Sequence, residues 1–144
     1  MKKDVKIENQ NTILKSIFFK NRICLSEQND VNKFIERLSE ILYKLSYSCV
    51  WDGKLAIGGA YHKNQYNSIK KGFLHKKSEV LCLKNVKICD FGEIIKQNLC
   101  NYGIYFYTKK GKEFIKIFCG NGFLIEKTIQ NYIEKHFKEK LIKG

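Results

Sequence analysis

The segment that decides the fold is residues 22–59, RICLSEQNDVNKFIERLSEILYKLSYSCVWDGKLAIGG. It predicts a short strand, a helix, a strand, a tight turn and a further strand. Residues 86–120 predict the same order, and a repeated unit is a strong indicator of architecture. We therefore expect an α+β fold, in which duplicated βαββ units form an antiparallel sheet with helices packed on one face and a C-terminal helix.

The clearest element is the helix of the first unit, which Asn29 or Asp30 caps. Its apolar residues recur at steps of three and four, as they do in a helix with one buried face. They are Val31, Phe34, Ile35, Leu38, Ile41, Leu42 and Leu45. This stripe predicts a principal element of the core.

A hairpin closes each predicted unit. Asp52-Gly53 favours a tight turn between residues 47–51 and 54–57. In the second unit, residues 109–112 join the strands 103–108 and 113–119, which are apolar on both faces and so belong at the centre of the sheet.

Three further elements complete the prediction. Residues 79–83 and 86–89 have the composition of short strands. Asp90 and Glu93 then form a capping box for a short helix. A final helix follows the turn at residues 120–122, with its apolar side formed by Ile125, Ile129, Tyr132, Ile133, Phe137 and Leu141.

The duplicated βαββ order is similar to the fold of the GyrI-like effector-binding family. The resemblance implies binding of small molecules or partner proteins. It lies in the order of elements, and no motif residue of that family is matched here. It therefore assigns no site residue.

The chain of 144 residues predicts a single domain over 1–144, with a frayed start over 1–11. Residues 61–78 form a basic connector between the two units. A hydrophobic fraction of 44% is typical of globular proteins. We see neither an apolar run of about 18 residues nor a secretory leader, so we expect a cytoplasmic protein with no membrane partner.

The formal net charge of +13 favours partners that carry phosphate groups. Among the 27 basic residues only Arg22 and Arg37 are arginines, and the chain has no proline. This composition is typical of an AT-rich genome. A functional patch and codon bias both explain the charge.

The connector contains no acidic residue, and its lysines alternate with aromatic rings, as in proteins that bind single-stranded nucleic acid. The alternative is a short helix over 64–71, ended by Gly72, with Tyr66, Ile69 and Phe73 packed inward. Lysines at the tip of the second hairpin offer a related surface. The predicted partner-binding residues are Tyr61, Lys63, Tyr66, Lys70, Lys71, Lys76, Lys77, Lys109, Lys110 and Lys112.

Phe114, Lys116 and Phe118 share one face of a predicted strand. RNA-recognition domains use such exposed aromatic sheets to stack bases. Burial in the core is the simpler expectation for both phenylalanines.

The cysteines lack the two-residue spacing of zinc sites, so we expect reduced thiols, no metal and no cofactor. We expect five of them in strands: Cys24, Cys49, Cys82, Cys89 and Cys119. His62, His75 and His136 are the candidate general bases. None has a recognisable nucleophile partner, and no catalytic residue is assigned.

The leading hypothesis is a non-enzymatic binding protein, an inhibitor from a phage or mobile element, that engages nucleic acid or a nucleoprotein complex. The second is a sensing or sequestering module for a small molecule or nucleotide, with a cleft between the units lined by Tyr47, Trp51, Tyr105 and Tyr107. The third is an enzyme with an unrecognised site.

Overall fold

The computed structural model describes residues 16–47, 53–73 and 78–143. Its strands are β1 (Phe18–Phe19), β2 (Arg22–Cys24), β3 (Lys54–Gly59), β4 (Glu79–Lys84), β5 (Tyr102–Lys109) and β6 (Lys112–Cys119). Its helices are α1 (Val31–Tyr47), α2 (Lys63–Gly72), α3 (Ile88–Gln97) and α4 (Lys127–Lys143), and a short 3-10 turn spans Leu25–Glu27.

The strands form one mixed sheet of six strands in the order β1-β2-β6-β5-β3-β4. β3 runs parallel to both β4 and β5, and the other neighbours are antiparallel. The expected all-antiparallel sheet is therefore wrong. Helices α2 and α3 are the crossovers that parallel strands require. The β5–β6 hairpin is central, as predicted.

The duplicated βαββ order is not confirmed. Both edges of β3 are paired with parallel strands, so the predicted antiparallel hairpin ending in residues 54–57 is wrong. Tyr47 is the last residue of α1, and residues 48–52 lie outside the described residues. The predicted strand over 86–89 is also wrong, because α3 begins at Ile88. The resemblance in element order to the GyrI-like family loses its basis.

Helices α1, α2 and α4 pack on one face of the sheet, which we name the first face. The apolar stripe of α1 is confirmed, since Ile35, Leu38 and Leu42 are fully buried in one cluster with Ile57 and Ile104 of the sheet. The Oδ1 atom of Asp30 accepts a hydrogen bond from the Lys33 backbone N–H at 3.1 Å, which confirms the predicted cap.

The predicted C-terminal helix is also present. In α4, Ile133 is fully buried and the ring of Phe137 stacks on Phe34 of α1, with 4.7 Å between the ring centroids. This helix therefore closes the core on the first face.

Helix α3 covers the opposite face, so the expectation of helices on one face is wrong. The centroid of the Phe91 ring lies 5.2 Å from that of Tyr105 and 5.1 Å from that of Phe118. Gly103 of β5 permits this approach, because a Cβ atom there would lie 2.3 Å from Cδ1 of Ile95. Phe118 is therefore a core residue, and Phe114 is also buried, so the expectation of burial is confirmed for both phenylalanines.

The cysteines do not follow the predicted strand pattern throughout. Cys89 lies in α3 and not in a strand, while Cys24, Cys82 and Cys119 do lie in strands. All five cysteines in the described part of the chain have free thiols, and the prediction for Cys49 lies outside it.

Candidate functional site

We name the face of the sheet that α3 covers the second face, and the part of it near the tip of the β5–β6 hairpin has no helix on it within the described segments. Residues of a strand point alternately to opposite faces, so every second residue of β6 lies on this face. Cross-strand pairing adds residues from β5, β2 and β1. We name this surface the open face; it consists of Phe19, Arg22, Cys24, Tyr107, Lys109, Lys112, Phe114 and Lys116.

The outer edge of the open face is the β1–β2 hairpin. Its turn residues Lys20 and Asn21 have φ values of 51° and 63°, the left-handed conformation of a two-residue hairpin turn. This turn sends the Phe19 side chain to the open face, opposite Arg22. The Phe19 side chain is 65% exposed, although it belongs to a strand.

Helix α4 holds this hairpin from the first face. The buried carboxylate of Glu134 accepts hydrogen bonds from the Phe18 backbone N–H at 3.3 Å and from the Ser16 hydroxyl at 3.2 Å. The Gln130 side-chain amide donates to Oδ1 of Asn21 at 2.9 Å. These bonds fix the strand that carries Phe19.

Planar groups stack across the open face. Cζ of Arg22 lies 4.4 Å from the centroid of the Phe114 ring, and this ring stacks on Tyr107 with 5.5 Å between centroids. Nζ of Lys116 lies 5.9 Å from the Tyr107 ring centroid. Cations over aromatic rings attract the ring electrons, so these side chains hold one another in fixed orientations.

The cations of the open face form no ion pair with the acids that the structure describes. Lys109 is directly opposite Lys112, and continuing the register of the Ile23–Ile115 pair places Arg22 opposite Lys116. Like charges in directly opposed positions destabilise a sheet. None of these four cations forms an ion pair with any residue that the structure describes. The fold therefore maintains a repulsive arrangement here.

The acidic residue of β6 points away from this surface. Glu113 lies between Lys112 and Phe114 in sequence, so its side chain is on the first face. There its Oε1 atom lies 3.0 Å from Nε2 of His62, which precedes α2. Alternation along the strand thus separates its acid from its lysines.

Two polar atoms of this surface are buried without a hydrogen-bond partner among the described residues. They are Nε of Arg22 and the hydroxyl oxygen of Tyr107. Buried polar groups are normally bonded, and an unsatisfied one costs about 1–3 kcal/mol.

A cavity of about 490 Å³ lies at the edge of the open face, beside β1. Its lining combines aromatic rings, two cations, a thiol and a carboxylate; these residues include Phe19, Arg22, Cys24, Glu27, Lys112 and Phe114. Its volume is within the range of small-molecule sites, about 300–1,000 Å³. The lining suits a ligand with both a planar ring and negative charge.

The connector forms helix α2, which confirms the short-helix alternative. Ile69 and Phe73 are buried, and Tyr66 is half-buried against the same cluster. Tyr61 is also buried, with its ring centroid 6.2 Å from that of Phe106, and burial raises the pKa of its phenol to about 12. Tyr61 is thus a core residue with little ring surface to offer a partner.

The predicted binding lysines occupy different places. Lys109, Lys110 and Lys112 are exposed at the hairpin tip, and the contact between His62 and Glu113 brings the start of α2, with Lys63, close to them. At the other end of α2, Lys70 and Lys71 are exposed, and Nζ of Lys71 lies 3.4 Å from Oε1 of Glu36. Lys76 and Lys77 lie outside the described residues.

The four residues of the predicted aromatic cleft are not seen together. The Tyr105 ring packs on Phe91, and its hydroxyl donates a hydrogen bond to the Val86 carbonyl at 2.8 Å. Tyr107 lies on the open face. Tyr47 ends α1, which packs on the first face, and neither its side chain nor Trp51 is within the described part.

Sequence reasoning did not assign Phe19 and Arg22 to a binding surface, and it left Lys116 out of the predicted site. The two-residue strand β1 is too short to show a pattern. In contrast, the alternation Lys112, Phe114, Lys116 in β6 is a visible period of two with cations and a ring on one face. That pattern could have identified three of the eight residues of the open face.

Comparison with models of known protein families gives no match, and a search of curated protein sequences gives none. No helix within the described ranges is long and apolar enough to cross a membrane. The same ranges contain no group of three or more His, Cys, Asp or Glu side chains that could hold a metal ion.

Proposed function

We propose that the protein is a non-enzymatic binding protein whose open face engages single-stranded nucleic acid, free or within a nucleoprotein complex. One observation carries this proposal: four cations without an ion-pair partner among the described residues share, with the exposed ring of Phe19, the part of the second face that no described helix covers. Proteins that bind single strands combine a cationic track for phosphates with rings for bases.

The chemistry of the cations favours binding that does not depend on base sequence. Three of the four are lysines, which contact phosphates as point charges and lack the planar fork that reads guanine. Rings stack on any base once the base is free of a duplex. We therefore expect single strands to bind more tightly than duplexes of the same sequence.

The AT-rich composition supports the proposed origin in a phage or mobile element. We further propose that the protein inhibits a nucleoprotein complex and acts in the cytoplasm. Contact by Lys63, Lys70, Lys71, Lys76 and Lys77 stays a prediction, and the experiment below tests it for Lys70 and Lys71.

The proposal is tested by fluorescence anisotropy with a labelled single strand of mixed sequence over a series of salt concentrations. The Arg22→Gln, Lys116→Gln double variant should bind more weakly. Its salt dependence, the slope of log K against log salt, should shrink by about 0.7 for each lost phosphate contact.

The matched control is Lys33→Gln with Lys135→Gln, which removes the same charge from exposed positions of α1 and α4. It should leave affinity and slope nearly unchanged. An equal loss in both double variants would show that net charge alone drives binding, and no binding by the natural protein would refute the proposal. A loss confined to Lys70→Gln with Lys71→Gln would move the contact to α2.

A further inference from the structure

We propose that the cavity beside β1 is a nucleotide pocket, which takes one nucleotide of the strand with its base on Phe19 and its phosphate between Arg22 and Lys112. This inference rests on the proposed function of the open face. It adds a defined site and a ligand class to that function, because a flat cationic surface would bind any polyanion.

The first argument is the exposure of Phe19. Its ring lines the cavity and is 65% exposed, although the hairpin that carries it is fixed by bonds from Glu134 and Gln130 of α4. A phenylalanine held in place at a cavity wall gains contact energy when a planar ligand covers it. A base offers such a planar surface, and a bare phosphate chain does not.

The second argument is the position of Arg22. Its side chain lines the cavity, with Cζ 4.4 Å from the centroid of the Phe114 ring. The Arg22 guanidinium forms no ion pair with a carboxylate of the described residues. Phosphate oxygens match the guanidinium fork, and Lys112 adds a second positive charge to the same cavity wall.

The third argument is the single carboxylate of the lining. Glu27 ends the 3-10 turn and lies in this cationic cavity, yet no described cation lies within ion-pair distance of it. A carboxylate accepts hydrogen bonds from exocyclic amino groups and from sugar hydroxyls. A nucleotide carries such donors beside its phosphate, so one ligand can match ring, cations and acid together.

The test compares two probes, a labelled single strand and inorganic polyphosphate, which carries the negative charge without bases. Phe19→Ala should weaken binding of the strand by about fivefold or more, which corresponds to the loss of one stacked base. It should leave polyphosphate binding unchanged. Phe19→Leu keeps the apolar bulk without the planar ring, and it should behave like Phe19→Ala.

Phe123→Ala is the matched control, because Phe123 is 72% exposed but lies beyond the opposite end of β6 from the hairpin tip. It should bind both probes as the natural protein does. Unchanged strand binding in Phe19→Ala would overturn the pocket and leave the open face intact. An equal loss for both probes would also overturn it, since Phe19 would then affect binding by maintaining the fold and not by stacking on a base. Failure of the natural protein to bind either probe would overturn the proposed function itself.

Discussion

Reversing one charge at the tip of the β5–β6 hairpin separates the binding role of the open face from its effect on stability. Lys112 lies directly opposite Lys109, and both side chains are exposed. Two lysines in this position repel each other, whereas a carboxylate opposite a lysine attracts it. We therefore expect Lys112→Glu to stabilise the fold and to weaken binding of nucleic acid.

The structure sets the size of both effects. A cross-strand charge pair contributes about 0.2–1 kcal/mol, and solvent exposure keeps the gain near ~0.5 kcal/mol. This corresponds to a rise of about 1–2 °C in the melting midpoint. If Arg22, Lys109, Lys112 and Lys116 each neutralise one phosphate, four contacts at about 0.7 each give a salt slope of about 2.8 in magnitude. Lys112→Glu should reduce this slope to about 2.1 or less.

Thermal melting measures the first effect, and anisotropy over a salt series measures the second. Lys135→Glu makes the same charge change at an exposed position of α4 and serves as the control. A melting midpoint lowered by more than about 3 °C would mean that Lys112 makes a stabilising contact, and that losing this contact costs more than removing the repulsion from Lys109 gains. An unchanged salt slope would mean that Lys112 contacts no phosphate, and the reasoning about the open face would be refuted.

Three other predictions concern the core and the ionisable groups. Leu38→Ala removes a fully buried side chain of α1 and should lower the free energy of unfolding by about 2–5 kcal/mol in a denaturant melt, so a loss under about 1 kcal/mol contradicts it. Burial raises the pKa of Tyr61 from 10.0 to about 12, so the free energy of unfolding should fall as pH rises from about 10 to 12. Denaturant melts at each pH measure this fall, and Tyr61→Phe should reduce it. Iodoacetamide should label the exposed Cys82 and Cys89 before Cys100, whose pKa is raised by burial; mass spectrometry showing Cys100 labelled first would contradict this.

Sequence periodicity predicts helix α1 well because its seven apolar residues have a spacing that suits a helix and not a strand. The direction of β3 was missed because apolar residues pack equally well in parallel and antiparallel strands. The dipeptide Asp52-Gly53 favoured a hairpin over the crossover. The run Leu55, Ala56, Ile57 is buried on both faces, which is typical of a strand between parallel partners, and it was the better indicator.

The candidate site was harder to predict than the core. The hairpin-tip lysines were predicted from local charge, whereas Phe114 and Lys116 of β6 were left out although their alternation is visible in the sequence. The partners of these residues depend on pairing between β2 and β6, which are about 90 residues apart in sequence. Phe19 and Arg22 therefore enter the site only once the register of the sheet is known.

The bonds between α4 and the β1–β2 hairpin also decide when the site can form during protein synthesis. Phe18 and Glu134 are 116 residues apart, and Asn21 and Gln130 are 109 apart. The ribosome releases the N-terminal part of a chain first, so the β1–β2 hairpin can pair with β6 but lacks its bonds to Glu134 and Gln130 until α4 has emerged. We expect the proposed nucleotide pocket to be completed last. Under the proposed function, a growing chain next to messenger and ribosomal RNA would not yet carry a finished pocket, which would limit premature capture of those RNAs.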